Sequence, residues 1–377
     1  MSSGDPHLTL LINNDEVHAV LTMAEAMAAL EQSYRDMFVS QAVCRPRIDI
    51  QIPIPDARQT YQWGTMEGGS TRGYFAIRMK SDVIVQEDRG GIPTEEKYCL
   101  RPGRWCGLIL LTSIETGEPL AILNDGVIQH MRVGADGGIG VKYMARQDAE
   151  VVGMIGSGGM ARSHMDAIME VRKIRKLQVF SPTRINRERF AQEMRARFGI
   201  EAVACDAPEQ VYRGADILAA LTDATEPVTD GDLVEPGTHV VVIGGTGMPD
   251  PKTAAKVDRW LRFGNAPQPW GLPEFGKGRS RITYAAMTEE AAKTFLSPEG
   301  RRGGRAAPAD DRVIWLADLV AGRAAGRTAD HEITYSERGN MQGAQFYPIA
   351  GRAFELAQAA GRGREIPTDW FLQDIRD

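Results

Sequence analysis

The residues with the clearest chemical signature form a glycine-rich turn near the middle of the sequence. The apolar run Val151–Ile155 leads into Gly156-Ser157-Gly158-Gly159-Met160-Ala161, and the segment that follows has apolar residues at helical spacing. Strand, glycine turn and helix in this order are typical of a dinucleotide-binding site. We predict cofactor contacts at five positions of the turn, namely Gly156, Gly158, Gly159, Met160 and Ala161.

Each small residue of this turn has a physical role in such a site. Gly156 permits a tight turn, and Gly158 lets the backbone approach a pyrophosphate. Ala161 is small enough for the helix to pack close to the strand. The helix N-terminus offers unpaired N–H groups and a partial positive charge to the phosphates. Glycine turns also join strands to helices where no ligand binds, so the surrounding elements must support the prediction.

The elements after the turn predict a doubly wound parallel sheet. Strands and helices alternate, with strands at 176–180, 202–205, 217–221 and 239–243 and a helix at 186–198. In such sheets the ligand crevice lies at the carboxyl ends of the strands. Leu221-Thr222 and Gly244-Gly245 fall at two of these ends, so we predict that they also contact the cofactor.

The segment after the second strand of this unit bears on the choice of cofactor. NAD sites commonly have Asp or Glu here to bind the ribose hydroxyls, and Phe180-Ser181-Pro182-Thr183-Arg184 has neither. Ser181, Thr183 and Arg184 are suited to hydrogen-bond and neutralise a 2′-phosphate, which favours NADP over NAD. The alternative is that Arg184 is a solvated residue at the entry of a helix.

The first third of the chain predicts a mostly antiparallel sheet beside one long helix. Strands are predicted at 8–13, 74–81, 108–113 and 120–124, and the helix at 15–38. Residues 47–55 predict an edge strand, because Pro53 and Pro55 cannot donate to a ladder. Residues 85–105 are polar and contain Gly90-Gly91, so we predict a long loop there.

The last third has a weaker pattern. Residues 264–311 are rich in Gly, Pro and Arg and predict loops around one helix at 287–295. We predict a helix at 313–321, a strand at 332–335 and a final helix at 345–360. Residues 370–377 support no prediction.

A helix predicted at 129–144 contains four glycines, Gly134, Gly137, Gly138 and Gly140. Each costs roughly 1 kcal/mol relative to alanine inside a helix. Something must therefore approach this helix closely. A dinucleotide and a neighbouring helix are both candidates.

The amino-acid composition limits the classes of protein to which this chain could belong. The 377 residues suffice for two domains, and the net charge of −6 gives no electrostatic reason to bind nucleic acid or an anionic membrane. The four cysteines form no CxxC pair and none lies near a histidine at ligand spacing, which predicts buried, reduced thiols and no structural metal. With no membrane-length apolar run and no signal-peptide pattern, we expect a cytoplasmic protein whose partners are small molecules and a second copy of itself.

Several motifs in order resemble the ornithine cyclodeaminase/mu-crystallin family over residues 24–363. Arg47 lies in RPRIDI, Lys80 in FAIRMKSD, and Arg132 in ETGEPLAILNDGVIQHMRVGADGGIG. The remaining matches are GSGGMA, GADI, EPG, DLVAGRAAGR and DHEITYSERG. The resemblance implies an α/β homodimer in which a Rossmann domain is inserted into a split, mostly antiparallel α+β substrate and dimerisation domain. The corresponding boundaries are 1–128, 129–320 and 321–377.

The resemblance also implies roles for three residues. Family members bind a nicotinamide cofactor and act on amino acids or their cyclic imines. Arg47 would hold the substrate carboxylate, because a planar guanidinium can pair with it bidentately. Lys80 would bind beside the reacting nitrogen and exchange a proton if burial lowers its pKa. Arg132 would contact a cofactor phosphate.

Two departures from the family limit what carries over. The cyclodeaminases have a catalytic aspartate after a glycine pair, and here Thr246 holds that place. A threonine hydroxyl is no acid or base near neutral pH, and Asp250 is at the wrong spacing. The regions between Lys80 and Leu108 and at 264–311 are also longer than in the family, as in members named as amine oxidase subunits.

Three functions follow from these observations. The first is an NAD(P)-dependent oxidoreductase that acts on a small amino acid, imine or ketimine. The second is an ammonia-eliminating amino acid cyclodeaminase. The third is a non-catalytic cofactor-binding protein, or a subunit of an amine (tyramine) oxidase that pairs with a second protein.

Overall fold

The computed structural model describes residues 7–55, 59–89, 92–224, 226–243, 248–267, 281–285 and 310–375. These residues form two sheets with helices packed on and between them. The helices are α1 (Asn14–Val20), α2 (Met23–Phe38), α3 (Gly126–Met144), α4 (Gly159–Val171), α5 (Arg184–Phe198), α6 (Pro251–Lys256), α7 (Leu316–Val320) and α8 (Gly343–Ala359). Across the described ranges, no helix combines the length and apolarity that crossing a bilayer requires.

The first sheet has ten strands and is mostly antiparallel, as predicted. Its strands are β1 (Leu8–Ile12), β2 (Ala42–Cys44), β3 (Arg47–Pro53), β4 (Gln59–Ser70), β5 (Tyr74–Arg89), β6 (Ile92–Tyr98), β7 (Cys106–Ser113), β8 (Pro119–Asn124), β15 (Arg281–Ala285) and β18 (Arg364–Pro367). The main order is β15-β3-β4-β5-β7-β8-β1-β18, with β2 on β4 and β6 on β5. Strands β2, β4, β6, β15 and β18 were not predicted, and β15 lies within residues 264–311, where we predict loops around one helix, so that prediction is wrong at 281–285.

Helix α8 packs on β4 at very close range. A Cβ at Gly343 would overlap the carbonyl oxygen of Glu67, and one at Gly68 would lie 2.8 Å from the backbone of Gly343. Glycine on both sides therefore lets the helix rest on the strand, and apolar residues of α8 such as Phe346 complete the core beneath the sheet. This contact holds β4, which pairs with β5, the strand that carries the candidate site.

The single helix predicted at 15–38 is two helices. Asn13 caps α1 and Thr22 caps α2, and each makes a capping box with Glu16 and Glu25 respectively. A capping box satisfies two otherwise unpaired backbone N–H groups at a helix start. The apolar residues continue at helical spacing through the sequence of both helices, which hid this break.

The prediction of an edge strand at 47–55 is wrong. Strand β3 pairs with β4 on one side and with β15 on the other. The parallel register with β15 ends at Gln51 opposite Ala285, so Pro53 lies beyond the last pair and breaks no bond there. Proline at this position therefore carries no information about the edge of the sheet.

The long loop predicted at 85–105 is largely a β-hairpin. Strand β5 continues to Arg89 and pairs antiparallel with β6, from Val83 opposite Tyr98 to Arg89 opposite Ile92. Gln86 and Glu87 are exposed, so polar residues are tolerated here. The ladder is made by backbone groups, which is why a polar sequence still forms strands.

The second sheet is parallel and confirms the predicted doubly wound unit. It contains β9 (Val151–Ile155), β10 (Lys176–Phe180), β11 (Glu201–Ala204), β12 (Ile217–Leu221), β13 (His239–Ile243), β14 (Arg259–Arg262), β16 (Val313–Trp315) and β17 (Thr334–Glu337). The order is β11-β10-β9-β12-β13-β17-β14-β16. Strand β14 was not predicted. The helix predicted at 287–295 lies outside the described residues.

Two C-terminal predictions change in this sheet. The helix predicted at 313–321 begins as strand β16, and only Leu316–Val320 is helical, as α7. Strand β17 pairs with β13 and β14 although it falls in the segment 321–377 that we predict to return to the first domain. Helix α8 packs on β4 and β18 pairs with β1, both in the first sheet, and the domain boundaries stay a prediction.

The glycines of α3 face protein atoms. A Cβ at Gly134 would overlap the backbone of Ser163 on α4, and one at Gly138 would lie 2.7 Å from the Cβ of Ala167. Gly137 meets His164 of α4, again at a distance that no side chain would permit. Of the two candidates for the close approach, a neighbouring helix accounts for these glycines.

Candidate active site

The floor of the candidate site is one face of strand β5. Side chains alternate across a strand, so Arg78, Lys80 and Asp82 point to the same side, and all three are buried. Lys80 lies opposite Gly64 of β4 and Gly107 of β7. A Cβ at Gly64 would lie 3.0 Å from the Lys80 Cε. These two strand glycines therefore leave room for charged side chains between the strands.

Lys80 has the properties of a general acid and base. Its side chain is buried, with 7% of the residue exposed, and its ammonium donates a hydrogen bond to the Asp82 carboxylate. Burial, with the positive charges of Arg47 and Lys97, lowers the pKa of Lys80 to about 7, while Asp82 opposes the shift. A group with such a pKa is poised to give or take a proton at neutral pH.

Arg47 lies beside Lys80 at the start of β3. Its Nε donates to Asp49 Oδ1 at 2.8 Å, and Gln62 also donates to this buried carboxylate, at 3.4 Å. Asp49 pairs with Gly64 in the ladder, and Gly64 pairs with Lys80, so the three strands bring Arg47 and Lys80 together. The Arg47 side chain is 18% exposed. It is thus held by a carboxylate within the protein and stays partly exposed.

A second buried ion pair borders the floor. Arg78 donates from Nε to Asp125 Oδ2 at 2.6 Å, and Asp125 directly precedes α3. A Cβ at Gly107 would overlap the Asp125 carboxylate, so glycine makes this pair possible. Sequence reasoning missed Arg78, Asp82 and Asp125. The alternation R-x-K-x-D along β5 was the available signal.

Arg132 lies deeper than predicted for a phosphate contact. It is buried on α3, and its guanidinium donates to Gln129 and, at 2.7 Å, to Gln345 of α8. The guanidinium groups of Arg132 and Arg78 lie 5.1 and 5.4 Å from the centroid of the Phe346 ring. Burial, with Arg338 and Arg78 nearby, lowers the pKa of Arg132 well below its usual value. Its role toward a cofactor stays a prediction.

A buried polar chain holds Arg132 in place. Gln345, which accepts from Arg132, donates to the Tyr34 hydroxyl at 2.8 Å. Tyr34 donates to Asp136, which also pairs with Arg338 at 2.5 Å. The chain links α2, α3, α8 and the end of β17, so it fixes the two sheets against each other near the site.

The glycine turn fits a dinucleotide. Gly156 has φ +114°, and a Cβ there would overlap the carbonyl oxygen of Leu221, so only glycine is compatible with this turn. At Gly158 a Cβ would meet no atom within 4 Å. Gly158 also caps α4 with no side-chain hydrogen bond, which leaves the first N–H groups of the helix available. Open space at a helix N-terminus suits a pyrophosphate.

The other residues of the turn are packed against protein. A Cβ at Gly159 would lie 2.5 Å from His130 Nε2, so α3 meets the start of α4 here. Met160 is partly buried, and Ala161 is fully buried in the core of the parallel sheet. His130 was not predicted, and its ring borders the open space of the turn.

The three residues predicted to choose the cofactor differ in exposure. The Ser181 hydroxyl lies 2.9 Å from the Ser157 hydroxyl of the glycine turn and is buried. Thr183 is the N-cap of α5 and makes no side-chain cap bond. Arg184 is exposed, and its Nε donates to Glu188 at 2.6 Å. All three follow β10, beside the glycine turn.

The ends of β12 and β13 are only partly described. The carbonyl of Leu221 abuts Gly156, and Thr222 N–H donates to Ile243 O at 3.1 Å, so β12 ends at the cleft. Gly244, Gly245 and Thr246 lie outside the described residues. Asp250 caps α6 by accepting from the N–H groups of Lys252 and Thr253. Burial alone would raise the pKa of Asp250, but hydrogen bonds from the Thr253 and Thr229 side chains and from the N–H groups of Thr253 and Gly231 lower it, so this carboxylate has a structural role.

Two of the four cysteines are partly exposed, contrary to the prediction that all are buried. Cys99 and Cys106 are partly exposed, whereas Cys44 and Cys205 are buried; all four are free thiols. Cys99 is close enough to raise the pKa of Cys106, after the larger effect of burial. In the described part of the chain, no cluster of His, Cys, Asp and Glu could hold a metal ion.

The sequence is similar to those of known proteins. The model of the Ornithine cyclodeaminase/mu-crystallin family matches residues 102–262. A Delta(1)-pyrroline-2-carboxylate reductase of Bacillus cereus is 27% identical over 360 residues, which are 95% of this chain and 99% of that protein. An alanine dehydrogenase of Archaeoglobus fulgidus is 29% identical over 239 residues, covering 63% of this chain and 68% of that protein.

Solved structures share the fold over most of the chain. The Delta(1)-pyrroline-2-carboxylate reductase of Thermococcus litoralis, in complex with NADH and L-proline, superposes with a TM-score of 0.70. The match covers 95% of this chain and all of that chain, at 24% identity. At this identity the similarity establishes the Rossmann-type sheet and its companion domain as a shared fold.

Proposed function

We propose that this chain, which belongs to the ornithine cyclodeaminase/mu-crystallin family, is an NAD(P)-dependent oxidoreductase. It would interconvert a small amino acid and its imine or ketimine. The observation that carries the proposal is Lys80, a buried lysine with a pKa of about 7 beside the Arg47 guanidinium. Relatives named as pyrroline-carboxylate reductase and alanine dehydrogenase support the reaction class.

The residues of the nucleotide unit would hold the cofactor. The pyrophosphate would bind at Gly156, Gly158 and the N-terminus of α4, and the adenosine ribose near Ser181 and Thr183. Leu221, Thr222, Gly244 and Gly245 would line the nicotinamide end. When bound, the nicotinamide supplies or accepts the hydride at the substrate carbon.

Arg47 and Lys80 would have different roles toward the substrate. Arg47 would bind the substrate carboxylate while Asp49 keeps its guanidinium oriented. Protonated Lys80 would donate its proton to the imine nitrogen during reduction, so that the product is the amine. In the reverse direction neutral Lys80 would accept that proton.

The direct test is turnover of a panel of cyclic and acyclic imino acids with NADPH or NADH, followed by the absorbance of the reduced nicotinamide. Lys80→Ala should reduce kcat/KM by about 100- to 10,000-fold, the usual contribution of a general acid. Lys80→Arg should do the same while keeping a cation beside Asp82, because arginine stays protonated. Lys176→Ala, at a partly exposed lysine of β10, is the matched control.

Three outcomes separate the candidate functions. Wild-type activity in Lys80→Arg would contradict the proposal. Ammonia release from a diamino acid with catalytic cofactor and no net NADH would identify a cyclodeaminase. Cofactor binding without turnover, with co-purification of a second chain, would indicate a non-catalytic subunit.

We further propose NADP as the preferred cofactor and a homodimer as the assembly. The segment after β10 has no carboxylate to bind the ribose hydroxyls. Arg184 is exposed, and its pair with Glu188 at i, i+4 is of the kind that contributes little to stability, so its guanidinium can turn toward a phosphate. The dimer proposal rests on the family resemblance and on an archaeal alanine dehydrogenase described as a dimer with bound NAD.

A further inference from the structure

We propose that Asp82 is a positioning residue that holds the Lys80 ammonium in the cleft and shares its proton, so that the two side chains act as one proton-carrying unit. The inference rests on the proposed function of Lys80. It assigns a role to a residue that neither the sequence motifs nor the comparisons identify.

The first observation is geometric. Asp82 follows Lys80 by two residues on β5, so both side chains lie on the same face of the sheet. Lys80 Nζ donates to Asp82 Oδ2, and only 5% of Asp82 is exposed. The lysine side chain therefore extends along its own strand toward residue 82. A charged hydrogen bond between two buried groups fixes the ammonium far better than a bond in water.

The second observation is the pairing of charges on the floor. Asp49 accepts from Arg47, and Asp125 accepts from Arg78. Each of these carboxylates thus has a guanidinium, which stays protonated in proteins. Asp82 is the carboxylate bonded to Lys80, the cation of the floor whose pKa burial has brought near neutrality. The pair that can lose a proton is thus separate from the pairs that hold the framework.

The charged groups around Lys80 determine how Asp82 affects the pKa of the lysine ammonium. Arg47 on β3 and Lys97 on β6 disfavour the Lys80 ammonium, as does burial, whereas Asp82 favours it. Asp49 on β3, Arg78 on β5 and Asp125 before α3 complete the charged groups around the lysine. Without Asp82 the lysine loses the carboxylate that accepts its hydrogen bond and favours its ammonium. Lys80 would then lose its proton at a lower pH and could no longer protonate an imine near neutrality.

The test is the pH dependence of imine reduction in Asp82→Asn. This substitution keeps the shape of the side chain and removes its charge. In the wild type, reduction should fall as pH rises through about 7, the pKa of Lys80. In Asp82→Asn the fall should occur about 1–3 pH units lower, the usual effect of removing a close opposite charge. Near-maximal activity should return at low pH, and Asp82→Glu should restore the wild-type profile.

Asp232→Asn is the matched control. Asp232 also pairs with a lysine, Lys252, but both are exposed, so loss of that carboxylate should leave the pH profile unchanged. A loss of activity in Asp82→Asn that is equal at every pH would overturn the inference, because it would show a structural role alone. An unshifted profile with full activity would overturn it as well.

A second readout keeps this test separate from the proposed function. The Lys80 Cε chemical shift in protein made with isotope-labelled lysine, assigned by comparison with Lys80→Arg, reports the titration of Lys80 without any turnover. A lower midpoint in Asp82→Asn would support the Lys80–Asp82 unit even if no imine were reduced, and the proposed function would then fail alone. An unchanged midpoint would overturn the inference whatever the enzyme does.

Discussion

Alanine substitutions at Gly156 and Gly158 should have different effects, although the two residues are separated by one position. The first should destabilise the fold, and the second should weaken cofactor binding. At Gly156 the backbone has φ +114°, and a Cβ would overlap the Leu221 carbonyl. Strain at a glycine-only conformation costs about 1–3 kcal/mol, and overpacking adds about 1–3 kcal/mol. Gly156→Ala should therefore lower the free energy of unfolding by about 2–6 kcal/mol.

At Gly158 the same substitution should leave the fold intact. The backbone has φ −86°, which any residue adopts, and an added Cβ would meet no protein atom within 4 Å. If that space holds the pyrophosphate, a methyl group there should cost about 1–3 kcal/mol of binding. That corresponds to about a 5- to 150-fold rise in the Kd of the cofactor.

Chemical denaturation and a cofactor titration on both variants test this pair of expectations. Gly158→Ala should unfold at the wild-type denaturant concentration while its titration curve moves to higher cofactor concentration. Unchanged affinity in Gly158→Ala would refute the assignment of the open space to the pyrophosphate. Unchanged stability in Gly156→Ala would refute the account of the turn itself.

Two further substitutions address the ligands. Arg184→Ala should lower kcat/KM with NADPH about tenfold or more and leave that with NADH nearly unchanged, because only NADPH has a 2′-phosphate for the guanidinium; equal losses with both cofactors would contradict the preference for NADP. Arg47→Lys keeps the charge beside Asp49 but loses the planar fork, so KM for the imino acid should rise about tenfold while cofactor affinity stays constant; an unchanged KM would show that the substrate carboxylate binds elsewhere.

The sequence predicted the parallel sheet far better than the antiparallel one. Strands such as Ile217–Leu221 are buried on both faces and therefore appear as continuous apolar runs between helices. Strand β4 alternates polar side chains and glycines because it lines the site on one face, so it lacks the apolar pattern of a strand. Gly64 and Gly68 in this strand are explained by Lys80 and by α8, which are distant in sequence.

The residues of the candidate site were likewise missed where their roles depend on partners that are distant in sequence. The glycine turn was recognisable because its residues are contiguous, and Lys80 and Arg47 because they resemble a family pattern. Asp82, Asp125 and His130 were missed because their roles depend on partners from other strands or helices. The break between α1 and α2 was missed because a capping box competes with an apolar period that continues through it.

If Lys80 gives its proton to an imine nitrogen, the pH dependence of kcat/KM in both directions should report the protonation state of Lys80. With a pKa of about 7 for Lys80, reduction should decline as pH rises through neutrality, because the proton donor is lost. Oxidation of the amino acid should increase over the same range, because the proton acceptor is formed. Lys80→Arg should lack both transitions. The same two profiles in Lys80→Arg as in the wild type would contradict the account.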